Sequence, residues 1–251
     1  MIISSPRKSD IPRLKELFAE TFGDSGEFVS LFFDTAFSCD RARVVYIDSK
    51  IVAMLYWFDC EYEGKPLAYI YAVATDKSHR GQGLCQMLME NTHKHLKAQG
   101  YQGAILVPSE PSLFGFYEKL GYKTATYIEE FECQGATEGC AFTQIDKDEY
   151  ARLRREYLPK GAVIQERENL DFLDRLAHFI KGEDFILSYS IYEGKLHAYE
   201  LLGNKAKAPS ILCALGVTND TFRAFGNGRP FTMLYPFEKM APPSYFAFAF
   251  D

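Results

Sequence analysis

Tyr69-Ile70-Tyr71-Ala72-Val73-Ala74-Thr75-Asp76-Lys77-Ser78-His79-Arg80-Gly81-Gln82-Gly83-Leu84-Cys85 joins a strand to a helix through a turn that holds two glycines. Its first part is apolar or aromatic at nearly every position, so the strand is covered on both faces and belongs inside a sheet. Asp76 to His79 ends it. Leu84, Met87, Leu88, His95 and Leu96 then recur at helical spacing up to Gln99-Gly100, and Gly103 to Val107 reads as the next strand. The result is a β-loop-α-β unit with Gly81 and Gly83 at the helix entrance. Glycines let successive backbone N–H groups converge on one concavity, and the partial positive charge of the helix start adds to them, which suits a pyrophosphate. A glycine pair alone is equally the mark of a tight turn that binds nothing.

Upstream, Asp10 precedes Ile11, Leu14, Leu17 and Phe18, with Pro12 in the first turn, and predicts a capped amphipathic helix ending near Gly23. A second helix carries Phe28, Val29, Leu31, Phe32, Phe33 and Phe37. Three strands follow in meander order, at about 44–47, 51–58 and 67–75, with turns at Asp48-Ser49-Lys50 and Glu63-Gly64-Lys65-Pro66.

Downstream, Phe116-Tyr117-Glu118-Lys119-Leu120-Gly121-Tyr122 stands one strand and one helix after the glycine turn. Together with Arg80-x-x-Gly83 behind a Val-Ala-Thr strand end, it resembles the GNAT superfamily of acyl-CoA-dependent N-acyltransferases over residues 1–133. The resemblance implies an α/β fold on a mixed sheet and acetyl-CoA as acyl donor. It also implies that Val73, Ala74 and Thr75 meet the pantetheine arm, and that Arg80, Gly81, Gln82, Gly83, Leu84 and Cys85 hold the pyrophosphate. Tyr117 is then the catalytic donor to the departing thiolate; the competing reading packs it in the core against Leu113 and Leu120.

Three positions depart from that pattern. Cys85 replaces the last small residue of the loop, either as a packed thiol or as one whose acidity the helix start raises. Glu110 stands where many members carry an asparagine seven residues before the tyrosine. The central strand Leu67 to Thr75 holds no acid, so the general base is water, Glu27, Asp59, Glu61, Glu63 or the Asp251 terminus. His79, His93 and His95 show no metal-ligand pattern.

After the small, polar Gln134–Gly139 stretch the patterning resumes over 141–251. Asp146 with Glu149 opens a helix that Pro159-Lys160-Gly161 closes, a second spans about Leu170 to Ile180, and two strands turn at Glu193-Gly194-Lys195. Helix, helix, hairpin repeats the order of the first half, which suggests a smaller C-terminal α/β lobe that is a degenerate GNAT-like repeat without a cofactor site. Arg223-x-x-Gly226-x-Gly228 matches the phosphate-loop spacing, but Arg229-Pro230 and Pro236 forbid the helix that should follow. Thr221–Phe225 and Phe231–Tyr235 are therefore expected to form a hairpin. The last residues, Tyr245 to Asp251, alternate Phe with smaller groups and predict an edge strand. The enhanced-intracellular-survival acetyltransferases, which the chain faintly resembles, place a chain-terminal carboxylate in the site, and this would give Asp251 that role.

Lys+Arg 28 against Asp+Glu 34 leaves a net charge of −6, which argues against nucleic-acid binding and mildly favours a cationic amine acceptor, whether small molecule or peptide. Hydrophobic content of 47% supports a substantial core. No signal-peptide or membrane-length run is visible, so a cytoplasmic location without membrane attachment is expected. Six scattered cysteines show neither a metal-ligand spacing nor a disulfide framework, and no metal cofactor is expected. The aromatic second half leaves a homodimer open. Rival readings are a CoA-binding sensor or interaction module without chemistry, and an acyltransferase that uses a longer acyl group.

Overall fold

A computed structural model describes residues 1–250; Asp251 lies outside the described residues. A short edge strand β1 (Ile2–Ser4) leads to α1 (Ile11–Phe22), which has Pro12 in its first turn and Gly23 as left-handed C-cap at φ 76°. Asp10 does not cap α1 with its side chain. Its carboxylate turns back to the Arg7 N–H (2.7 Å) and accepts from the Tyr46 hydroxyl (2.6 Å), closing the preceding 3-10 turn. Ser25 caps α2 (Gly26–Thr35) by accepting from the Phe28 N–H. The meander follows as β2 (Ala42–Ile47), β3 (Lys50–Tyr62) and β4 (Lys65–Thr75), then α3 (Leu84–Ala98), β5 (Gly103–Leu106), α4 (Ser112–Lys119) and β6 (Lys123–Gln134).

The second half runs β7 (Thr143–Ile145), α5 (Lys147–Tyr157), α6 (Glu168–Asp174), β8 (His178–Lys181), β9 (Phe185–Tyr192), β10 (Lys195–Gly203), α7 (Ala208–Leu215), β11 (Asn219–Phe225) and β12 (Arg229–Pro236). Its order of strand, two helices, three antiparallel strands, helix and parallel strand repeats that of β1 to β5: β4 and β5 are parallel, and so are β10 and β11. The turn that corresponds to the glycine turn carries Asn204-Lys205-Ala206-Lys207 and no glycine, and it enters a helix with Pro209 in its first turn.

All strands join one 12-stranded sheet in the order β1-β2-β3-β4-β5-β12-β6-β11-β10-β9-β8-β7. The two halves exchange their last strands at the centre: β12 lies between β5 and β6, and β6 lies between β12 and β11. The expected 221–235 hairpin does not form. β11 runs antiparallel along β6 from Gln134 to Ile128, and β12 continues in the same direction on the other side of β6, from Ile128 to Lys123. Gly226-Asn227-Gly228 therefore steps across β6 instead of reversing the chain. A Cβ at Gly228 would stand 2.6 Å from the Ile128 carbonyl oxygen, and one at Gly226 would stand 2.6 Å from the Glu129 Cβ. These glycines serve close backbone approach rather than a turn or a phosphate. Gly228→Ala should lower stability by about 1–3 kcal/mol, seen as a lower urea midpoint, because β6 is pinned by a strand on each side and cannot yield.

Two further expectations change. The helix predicted to reach Ile180 stops at Asp174; Phe179 and Ile180 are both buried, which a strand allows by sending them to opposite faces, and β8 pairs with β9. The terminal segment is no edge strand. Tyr245 to Phe250 are all buried, and only Tyr245 forms a bridge, to Ala162. With no neighbouring strand, the middle of the tail is held by the buried side chain of Gln165: its Oε1 accepts from the Ala247 and Phe248 N–H groups (3.2 and 3.0 Å) and its Nε2 donates to the Phe248 carbonyl (2.9 Å). The tail, α1, α2 and α6 cover one face of the sheet with a continuous aromatic core. Its centre is Phe32, whose ring lies 5.2–5.6 Å from those of Tyr56, Tyr71 and Phe172. Around β3 to β5, the opposite face packs on α3 and α4.

Candidate functional site

β4 and β5 are paired only at Ala68–Ala104, Tyr69–Ile105 and Ile70–Leu106. β5 ends there while β4 continues to Thr75, still paired with β3 on its other side. Tyr71 to Thr75 thus offer an open backbone edge in the middle of the sheet. Within this edge the β3–β4 register shifts, and Ala72 sits at φ 51°, a conformation that costs an L-residue energy and turns the strand's peptide groups out of the ladder.

The open edge leads straight into the glycine turn. Asp76 fixes its start: the carboxylate accepts from the Ser78 N–H (3.0 Å) and hydroxyl (2.6 Å) and pairs with Arg13 of α1 (2.6 Å). These bonds, Ser78's first, hold the Asp76 carboxyl below its ordinary range. Arg80 Nε donates to the Thr75 carbonyl (3.1 Å), which closes the loop on the strand end. Gly81 and Gly83 both have φ 74°, and a Cβ on either would meet nothing within 4 Å, so both face open space. The positive φ values, not crowding, are what require glycine here. Gly83 is the N-cap of α3, whose first-turn N–H groups have no acceptor side chain at the cap. Leu84 is buried and anchors the helix start, while Gly81, Gln82 and Gly83 are exposed.

Cys85 is a packed thiol: burial pushes its pKa up to about 11. Tyr117 lies on α4 against the first turn of α3. It is 8% exposed and shares a cluster with Leu84, Leu88 and Leu106. Burial, and secondarily the neighbouring Cys85, raise its pKa above the ordinary phenol range, and its ring contacts those of Phe116 and Tyr122 at 5.2 and 5.8 Å. Glu110 is exposed and accepts from Ser112 Oγ (3.2 Å).

The sequence candidates for a base are not gathered at the open edge. Glu27, Glu61 and Glu63 are exposed. Asp59 lies opposite Ala68, where β4 is still paired to β5. Its carboxylate accepts from the Tyr101 hydroxyl and faces Arg41 (3.8 Å), and its backbone N–H donates to Glu168 (2.7 Å). That polar group closes the part of β3 that β2 does not reach. Tyr71, at the start of the open edge, donates its hydroxyl to the Phe250 carbonyl (2.9 Å), so the buried tail ends beside the central strand. Sequence reasoning missed the Ala72 bulge, which no residue type announces. It also missed the Asp76 latch, which the Asp-x-Ser spacing before the turn could have revealed.

Among the described residues no three His, Cys, Asp or Glu side chains come together to hold a metal ion, and no helix is long and apolar enough to cross a membrane. Residues 3–125 match the family model of the acetyltransferase (GNAT) domain. Among solved structures, a GCN5-related N-acetyltransferase from Anabaena variabilis superposes with TM-score 0.74 at 16% identity, covering 93% of this chain and 72% of that one. A GCN5-related N-acetyltransferase from Kribbella flavida gives 0.71 at 17% identity, covering 93% and 70%. Eis1 from Mycobacterium abscessus gives 0.67 at 13% identity, covering 94% and 74%. At these identities the likeness is one of fold, and it extends through both halves of the chain. No curated protein matches the sequence.

Proposed function

Because residues 3–125 match the GNAT acetyltransferase domain, we propose that the protein is an acyltransferase that moves an acetyl group from acetyl-CoA to a primary amine of a small molecule or peptide by direct attack. The observation that carries the reading is the open β4 edge at Ala72–Thr75 running into a turn with two left-handed glycines at a helix start. An extended amide-bearing arm can pair with the strand edge, as β5 does lower down, and a pyrophosphate then meets the N–H groups from Gly81 to Cys85.

The chemistry needs little more than placement. The amine nitrogen attacks the thioester carbonyl, the C–N bond forms, and the carbonyl electron pair moves to oxygen. Collapse breaks the C–S bond and expels the thiolate, and the nitrogen's proton passes to solvent. Tyr117 donates a hydrogen bond to the departing sulfur. Its raised pKa keeps the hydroxyl protonated throughout the working range and makes it a donor rather than a strong acid. The second half of the chain contributes the buried tail beside Tyr71.

Gly83 gives the test. Gly83→Asn keeps a residue that tolerates positive φ and adds no charge, whereas Gly83→Asp adds a negative charge at the proposed pyrophosphate. A like charge a few ångströms away costs on the order of 1–4 kcal/mol. The Asp variant should therefore bind acetyl-CoA at least about tenfold more weakly than the Asn variant by calorimetry. Equal affinities would remove the phosphate assignment. The absence of an acid on Leu67–Thr75 keeps a second reading, a CoA-binding sensor, in play; thiol release above background over a panel of amines excludes it, and a donor panel sets the acyl length.

A further inference from the structure

A cavity of about 410 Å³ opens between α3, the end of α4 and the end of β12. Its rim carries Lys94, Lys97 and Lys119, all exposed, and none of them forms an ion pair among the described residues. The one acid that lines it, Glu90, accepts from Gln86 Nε2 (2.9 Å). The floor is aromatic: His93 stacks on Tyr235 at 4.4 Å and 28°, and Phe237 lies 5.5 Å from the same imidazole. His93 is buried, its Nε2 meets the Tyr122 hydroxyl at 2.7 Å, and burial lowers its pKa to about 4. The imidazole is therefore neutral near pH 7 and adds ring surface, not charge. Flat π surface below and three unpaired ammonium groups above complement a molecule with a ring at one end and a phosphate at the other.

We propose that this cleft binds a nucleoside phosphate, at a site separate from the acyl-CoA turn. The lining begins at Gln86 in the first turn of α3, but its cationic end lies apart from the glycine turn: from Leu84, Lys94 and Lys97 are about 15 and 20 Å down the helix at 1.5 Å per residue. The volume falls in the range of small-molecule sites, about 300–1,000 Å³. A free nucleotide and the nucleotide end of CoA share this chemistry, and competition separates them.

The test is calorimetric titration of the full chain with AMP, adenosine and inorganic phosphate, repeated with saturating CoA. AMP should bind more tightly than either half, weaken as salt rises, and keep its affinity when CoA is present. Lys94→Glu and Lys97→Glu, both at exposed positions, should each weaken AMP by at least about tenfold while leaving acetyl-CoA affinity unchanged. No AMP binding, displacement of AMP by CoA, or AMP affinity untouched in both lysine variants would overturn the proposal. Failure of the acyl-CoA assignment would show instead in the Gly83 variants, so the two can be told apart.

Discussion

Tyr117→Phe should lower kcat for acyl transfer by about 100-fold and leave the acetyl-CoA dissociation constant within about twofold. The hydroxyl acts only as the C–S bond breaks, because a thioester sulfur accepts a hydrogen bond weakly and a thiolate accepts one strongly. Its removal therefore costs the transition state and not the bound donor. The ring stays. Phenylalanine keeps the contacts with Phe116 and Tyr122, and no hydrogen bond among the described residues uses the lost oxygen, so the fold should hold. The wild-type pH profile supplies an independent check. Burial raises the Tyr117 pKa above its ordinary value near 10, so its hydroxyl is fully protonated below that pH and lost only above it. Activity should not fall between pH 8 and about 10 on its account. Equal turnover in the phenylalanine variant would return Tyr117 to a packing role.

The glycine turn and its strand were legible because each element there obeys a local rule. An apolar run makes a central strand, two glycines supply positive φ, and helical spacing from Leu84 sets the helix. Tyr117 was placed by its position one strand and one helix further on. What the sequence concealed depends on partners distant in the chain. Ala72 adopts positive φ where the register of β4 against β3 shifts, and alanine itself signals nothing of the kind. Gly226 and Gly228 looked like a hairpin turn because glycine permits both reversal and close approach, and only β6 lying between the two strands decides which. The Phe246–Phe250 alternation looked like a strand because the pattern shows spacing, whereas a strand also needs a neighbour. Gln165, some eighty residues away, supplies the hydrogen bonds instead. His178 to Ile180 continued a helical pattern that the pairing with β9 overrode.

Arg154→Met should destabilise the fold by about 3–5 kcal/mol, whereas Arg154→Met combined with Glu200→Leu should cost less than either substitution alone. The two side chains are 2% and 0% exposed, with Arg154 Nε 2.7 Å and Nη2 3.2 Å from the Glu200 oxygens. Removing the arginine leaves a carboxylate deep in the second half without its cation, answered by neutral hydroxyls such as that of Tyr150 (2.8 Å). Removing both charges leaves a space that apolar groups can occupy. The guanidinium also lies 4.3 Å from the centre of the Phe248 ring, so the pair that holds α5 to β10 holds the tail as well. Gln165 and this ring contact add to the aromatic packing of Phe246 and Phe250 in fixing the tail. Loosening it frees Phe250 from Tyr71 at the open edge of β4. The single Arg154 variant should therefore lose acyl transfer at temperatures where its circular dichroism is still native, and the double variant should regain stability sooner than activity. Urea midpoints for the three proteins decide the first claim: a loss below about 1 kcal/mol for Arg154→Met would mean that the buried pair is not what secures the tail.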